Sequence, residues 1–163
     1  VRPVREKAIR EGNTVRTGSG DIINTNENDT DLGYILGLDK GEFYLTGSRA
    51  WGTNQVYSDI DLICSPNTYN ELLEEIKRLN FDYTEHEAYR ALYIRGYDGV
   101  YNIICLSEFD MECWYFATES IKAMLEAETI TKKDIKNKTF FLGFFEQLCL
   151  INRNREALRG RNV

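Results

Sequence analysis

Gly47-Ser48-Arg49-Ala50-Trp51-Gly52-Thr53-Asn54-Gln55-Val56-Tyr57-Ser58-Asp59-Ile60-Asp61-Leu62 is the stretch on which the fold turns. An apolar run, Phe43-Tyr44-Leu45, precedes the Gly47-Ser48 pair, and Ile63 and Cys64 continue the stretch beyond Leu62. The pattern predicts a strand ending at a glycine turn, a short helical segment, and a second strand that begins with two acids. Alternate residues of a strand share a face, so Asp59 and Asp61 are expected to project together while Ile60 and Leu62 point into the core. Two neighbouring carboxylates repel unless a cation lies between them, and oxygen-rich sites of that kind suit Mg²⁺. Backbone N–H groups at a glycine turn that opens a helix favour phosphate. A phosphate cradle beside a carboxylate pair is the equipment of phosphoryl or nucleotidyl transfer.

Gly47-Ser48, ten intervening residues, then Asp59-Ile60-Asp61 resembles the signature of the DNA polymerase β-like nucleotidyltransferase superfamily. The fuller string, Gly47-Ser48-Arg49-Ala50 with Gly52 and Ser58-Asp59-Ile60-Asp61-Leu62, is most similar to its small bacterial and phage members. The resemblance implies an α/β (α+β) fold, a mixed β-sheet with helices packed on it, in its minimal nucleotidyltransferase form. It implies that Asp59 and Asp61 hold Mg²⁺ (or Mn²⁺), that Gly47 and Ser48 hold the β- and γ-phosphates of an NTP, and that Arg49 neutralises phosphate charge. It also implies a third carboxylate on a later strand. That position maps to Asn102 in Val100-Tyr101-Asn102-Ile103-Ile104-Cys105-Leu106, where the family pattern is broken. An amide oxygen ligates magnesium more weakly than a carboxylate and cannot act as a base. Another acid would otherwise have to supply the charge: Asp98 lies in the turn and Glu108 at the helix start, and neither is on the expected face. Two readings follow: a Mg²⁺-dependent nucleotidyltransferase acting on a hydroxyl acceptor, or a catalytically weakened nucleotide-binding or host-interaction protein. The acceptor is left open among a small molecule, a protein side chain and an RNA end.

The composition bounds these readings. With 163 residues and no composition break, a single domain over 1–163 is expected, with 1–28 an N-terminal extension and 152–163 a basic tail. A 42% apolar and 28% charged chain is ordinary for a soluble protein, and no apolar run is long enough to span a bilayer. The net charge of −6 argues against a general nucleic-acid surface and against a templated polymerase. Cys64, Cys105, Cys113 and Cys149 lack paired C-x-x-C spacing, so buried thiols in a reducing cytoplasm are expected rather than a zinc site. The one histidine, His86, lies in the polar segment Thr84-Glu85-His86-Glu87 and is expected to be a solvated loop residue.

Outside the motif, the charged run Arg2 to Glu11 predicts a short helix stopped by Gly12-Asn13. Gly18-Ser19 followed by Asp29-Thr30-Asp31 imitates the motif spacing, but no strong apolar strand precedes it, and Asp29 or Thr30 is better suited to cap a helix over Asp31 to Gly37. Thr68 to Leu79 carries Tyr69, Leu72, Leu73, Ile76 and Leu79 at helical spacing between charges. Tyr83 to Glu87 is expected to be a loop or frayed strand. Arg90 to Tyr97 and Val100 to Ser107 flank Asp98-Gly99 as a hairpin. Ser107 is expected to cap a long helix, and Thr131, with Asp134 three residues on, a last one. Phe140 to Ile151 make that helix strongly apolar, so it either packs across the sheet or presents a face to another copy or a protein partner. The arginine-bearing tail from Asn152 is expected to fray.

Overall fold

The computed structural model describes residues 9–11, 14–16, 22–24, 32–96 and 99–161, with side chains over 32–96 and 99–159. In chain order these form β1 (Ile9–Glu11), β2 (Thr14–Arg16), β3 (Ile22–Asn24), α1 (Leu32–Ile35), β4 (Tyr44–Thr46), α2 (Ser48–Trp51) and β5 (Ile60–Cys64). There follow α3 (Pro66–Arg78), β6 (Thr84–Glu85), β7 (Ala91–Gly96), β8 (Gly99–Cys105), α4 (Glu108–Glu126), α5 (Lys132–Ile135) and α6 (Lys138–Arg161). The fold is α+β: a five-stranded mixed sheet in the order β4-β5-β8-β7-β6, with helices on it. The β5–β8 pair is parallel and the other pairs are antiparallel.

Residues that alternate along each strand divide between the two faces. Leu62, Leu92, Ile94, Tyr101 and Ile103 bury one face against α1 and against Tyr69, Leu72 and Ile76 of α3. Ile63, Ala91 and Ile104 pack on the opposite face with Trp114 of α4. On that second face one register line crosses the whole sheet: Thr46 pairs with Asp61, Asp61 with Asn102, Asn102 with Tyr93, and Tyr93 with Thr84.

A buried hydroxyl network holds the β4 end of this line to α4. Trp114 Nε1 donates to Thr46 Oγ1 at 2.9 Å, and Thr118 Oγ1 donates to the Trp114 carbonyl at 2.9 Å. Since the Thr118 proton is committed, Thr46 Oγ1 is the donor across the 2.7 Å contact to Thr118 Oγ1. Both threonines are almost fully buried, and each has its hydrogen bonds satisfied. The strand that leads into the glycine turn is thereby fixed at its last residue.

Several expectations need correction. The N-terminal segment pairs as a strand over Ile9–Glu11 in a three-stranded antiparallel sheet with β2 and β3. The β-branched residues of Thr14-Val15 and Ile22-Ile23 favour that pairing over an isolated charged helix. Gly12, Asn13, Gly18, Ser19, Asp29, Thr30 and Asp31 lie outside the described residues. The hairpin forms, but its register is Gly96↔Gly99, so the two residues between the strands are 97 and 98, both outside the described residues.

The last helix divides in two. Thr131 and Asp134 form the expected capping box, but this helix stops at Ile135. Asn137 then starts another: its side-chain Oδ1 accepts from Thr139 N at 3.0 Å, as an N-cap does. Helix α6 runs on to Arg161, so the tail is helical, and the Arg153 guanidinium lies 5.3 Å from the centre of the Phe109 ring. The apolar segment packs mainly on α4 rather than across the sheet: Phe141 and Phe145 stand 5.0 and 4.9 Å from the Trp114 ring. Phe140, Leu142, Leu150 and Ile151 remain exposed. Among the described residues no helix is long and apolar enough to cross a membrane.

Candidate active site

The glycine turn is built for close approach. Gly47 adopts φ +72° and ψ −163°, a backbone conformation essentially restricted to glycine, and its carbonyl accepts from Ala50 N at 2.9 Å to start α2. A Cβ placed on Gly47 would lie 2.2 Å from Asp61 Oδ2 and 3.1 Å from Asp61 Cγ. The Asp61 carboxylate therefore rests directly against bare backbone at the turn. Gly52, at φ +86°, ends the short helix in the left-handed region.

Between Gly52 and β5 the chain makes an exposed loop whose shape Arg49 maintains. Its Nε and Nη2 donate to the Ser58 carbonyl at 3.1 and 2.9 Å, and Nη2 also donates to the Val56 carbonyl at 3.1 Å. Ser58 Oγ accepts from Gln55 N at 2.9 Å. Arg49 is thus committed to the backbone just before Asp59. It braces the residue that precedes that acid.

Asp59 lies immediately before β5 and is exposed; Asp61 is inside the strand and half-buried. Asn102 on the neighbouring parallel strand stands opposite Asp61, and its Nδ2 donates to Asp61 Oδ1 at 3.1 Å. Burial pushes the Asp61 carboxyl above the usual aspartate range. The Asn102 hydrogen bond pulls it back, the negative charge of Asp59 raises it again, and Lys138 and Arg49 lower it. Ser48, Asp59, Asp61 and Asn102 are thus brought to one end of the sheet. Glu108 is not: it lines a separate cleft of about 670 Å³ with Glu42, Glu112 and Tyr115. Asp98 lies outside the described residues.

The chemistry of this donor set fits a divalent cation. The Asp61 carboxylate, which feels the negative charge of Asp59, lies beside an amide whose Oδ1 is buried without a hydrogen-bond partner. Leaving such an acceptor unmade costs about 1–3 kcal/mol, and coordination to a cation would recover it. Among the described residues no group of three or more His, Cys, Asp or Glu is placed to hold a metal, so among them a third protein oxygen here comes from a neutral residue. All four cysteines are free thiols.

Three contributors escaped the sequence reading. Lys138, the first residue of α6, places positive charge close enough to act on Asp61, and only the Asn137 restart puts it there. His86 lies in a loop as expected, directly after β6, but it is half-buried rather than solvated. Its N–H donates to the Ala91 carbonyl at 2.9 Å, its Nδ1 accepts from Ala88 N at 3.1 Å, and its ring stacks on Tyr89 at 3.9 Å between centroids. Tyr93 stands opposite Asn102 in the register. The sequence signal for Tyr93 lay in the hairpin, but a turn centred on Asp98-Gly99 shifts the pairing by two residues and puts Arg95 there instead.

Changing Asn102 to aspartate tests whether this residue completes the donor set. The variant loses the N–H donated to Asp61 and adds a charge beside a half-buried carboxylate, so the metal-free protein should melt at lower temperature. Millimolar Mg²⁺ or Mn²⁺ should raise the melting temperature of Asn102→Asp by more than it raises that of the parent chain. Equal shifts in differential scanning fluorimetry would remove Asn102 from the site.

A scan against protein-family models finds no match for this chain, and comparisons with curated proteins and with solved structures find none either.

Proposed function

We propose that this chain is a Mg²⁺-dependent nucleotidyltransferase of the polymerase β-like kind, moving a nucleoside monophosphate from an NTP to a hydroxyl. The observation that carries the reading is the contact of the Asp61 carboxylate with the bare backbone of Gly47, with Asn102 directly across the sheet. A metal site and a phosphate-binding turn meet at one atom. When bound, the ion supplies neutralisation of phosphate charge and polarisation of the phosphoryl group. Asp59 and Asp61 hold it, and Asn102 Oδ1 offers a neutral third oxygen. The Gly47-Ser48 turn receives the β- and γ-phosphates on its backbone N–H groups, beside the Asp61 carboxylate that fills the space of the missing side chain. Lys138 adds positive charge where negative charge accumulates as pyrophosphate departs. Arg49 acts through the loop carbonyls to set Asp59. A hydroxyl of a small molecule, a protein side chain or an RNA end is the acceptor, and four free thiols fit a reducing cytoplasm.

Asn102 also favours a second reading, in which the metal nucleotide binds without being transferred. An amide cannot take the proton of an attacking hydroxyl, and the side chain is already hydrogen-bonded to Asp61. Calorimetry with each NTP, with and without Mg²⁺, and a pyrophosphate-release assay over an acceptor panel separate the two. Metal-dependent binding with pyrophosphate release supports transfer. Metal-dependent binding without release supports the binding module. Absence of metal-dependent NTP binding overturns both.

A further inference from the structure

Beyond Asn102 the register line runs into an aromatic group that the phosphate and metal chemistry does not use. Tyr93 is the next residue along the line, and His86 stands 6.1 Å from it between ring centroids. Tyr89 stacks on His86 with the planes 30° apart and remains 46% exposed. Tyr93, paired with Asn102 in the register and 6.1 Å from the His86 ring, ties the stack to the face of the sheet that carries Asp61. The stack's second ring is supplied by His86, whose Nδ1 accepts from Ala88 N and whose backbone N–H donates to the Ala91 carbonyl.

A stacked, partly exposed ring pair offers a flat face that another ring can cover. Stacking on Tyr or His accepts any π-face with little regard to its hydrogen-bonding edge. The order along the sheet is glycine turn, Asp61, Asn102, Tyr93, then the Tyr89–His86 stack. Strands lie about 4.8 Å apart, so Tyr93 is two strand spacings, roughly 10 Å, from Asp61. That is the reach of one nucleoside from its phosphate.

We propose that the Tyr89–His86 stack, backed by Tyr93, is a nucleobase platform serving the Asp59–Asp61 site. The ring that lies on it belongs either to the donor NTP or to the acceptor. The proposal rests on the transferase reading for its place in the reaction. Its contacts with the base require neither the metal nor the phosphates. Displacement at phosphorus is in line, so a leaving pyrophosphate at Gly47-Ser48 puts the incoming hydroxyl on the opposite, Asn102 side. A base on the platform is well placed in either role.

The test titrates the full chain with free nucleosides, inorganic tripolyphosphate and Mg²⁺–NTP, followed by ligand-observed NMR and calorimetry. Tyr89→Ala should weaken nucleoside binding roughly tenfold, the size of one base–aromatic stack. Tyr89→Phe keeps the ring and should bind as the parent does; Asp61→Asn should bind free nucleosides normally. If the base is the donor's, Tyr89→Ala weakens Mg²⁺–NTP in parallel and nucleosides compete with it. If it is the acceptor's, Mg²⁺–NTP is unaffected and nucleosides bind alongside it. Nucleoside binding that ignores Tyr89→Ala overturns the platform. So does the absence of nucleoside binding together with Mg²⁺–NTP binding no tighter than tripolyphosphate. Tyr89-dependent nucleoside binding with no metal-dependent NTP binding keeps the platform and sinks the transferase reading instead.

Discussion

Asp61→Asn is expected to abolish Mg²⁺-dependent NTP binding and to lower any nucleotidyl transfer by about a thousandfold, equivalent to roughly 4 kcal/mol of lost transition-state stabilisation. Among the described residues Asp61 is the one acid in contact with both the glycine turn and Asn102, so none of the others there takes over its charge. The same change should leave the fold as stable as before or more so. Asparagine has nearly the shape of aspartate and its oxygen can still accept from Asn102, while the buried charge and its repulsion with Asp59 disappear. The pH dependence gives an independent check. Because burial, and then Asp59, raise the Asp61 pKa in the folded state, the native protein holds a proton that the unfolded chain has released. Stability from this group is therefore complete below the usual aspartate range and is lost as pH rises through the raised value. Denaturant melts at a series of pH values should show that loss in the parent and not in Asp61→Asn. Metal affinity should follow the opposite course, rising with pH as the carboxyl ionises. Unchanged metal-dependent binding in Asp61→Asn would take the carboxylate out of the site.

What was legible in the sequence was whatever local spacing or local chemistry specifies. The β4–turn–β5 unit follows from apolar runs on either side of a glycine. Helix α3 follows from a 3.6-residue apolar period, and Ser107 and Thr131 cap helices as their hydroxyls predict: Ser107 Oγ accepts from Asp110 N at 3.1 Å. Asn102 was reached through the family resemblance, which asks for a third ligand on a later strand, where it is the polar residue amid an apolar run. The misses share one cause. Lys138, Tyr93 and His86 reach the site through register and through a helix restart, and neither leaves a periodic trace. Asn137 was hidden because it sits inside a run already explained by the Thr131–Asp134 box. The N-terminal strand was missed because its partners lie beyond a helix-length window, where pairing outweighs the preference of a charged segment.

Gly47→Ala is expected to cost roughly 2–4 kcal/mol of folding stability, from a backbone conformation denied to alanine and from a methyl group driven into Asp61. For a chain of this size that is a fall of about 5–15 °C in melting temperature. The two contributions separate by comparison with Gly52→Ala. Gly52 also has positive φ, at +86°, but nothing lies within 4 Å of a Cβ placed there. Its cost is the left-handed backbone alone, about 1–2 kcal/mol. The excess at Gly47 is then the overlap with the Asp61 carboxylate, 2.2 Å from the built Cβ. Removing that carboxylate should recover the excess: in Gly47→Ala/Asp61→Ala the nearest remaining contact is Asp61 Cβ at 3.2 Å. The double variant should therefore be more stable than the sum of the single changes by about 1 kcal/mol or more, as expected for residues in direct contact. Additive effects in urea melts would mean that Asp61 does not rest on the turn, and the meeting of metal site and phosphate turn would be lost with it.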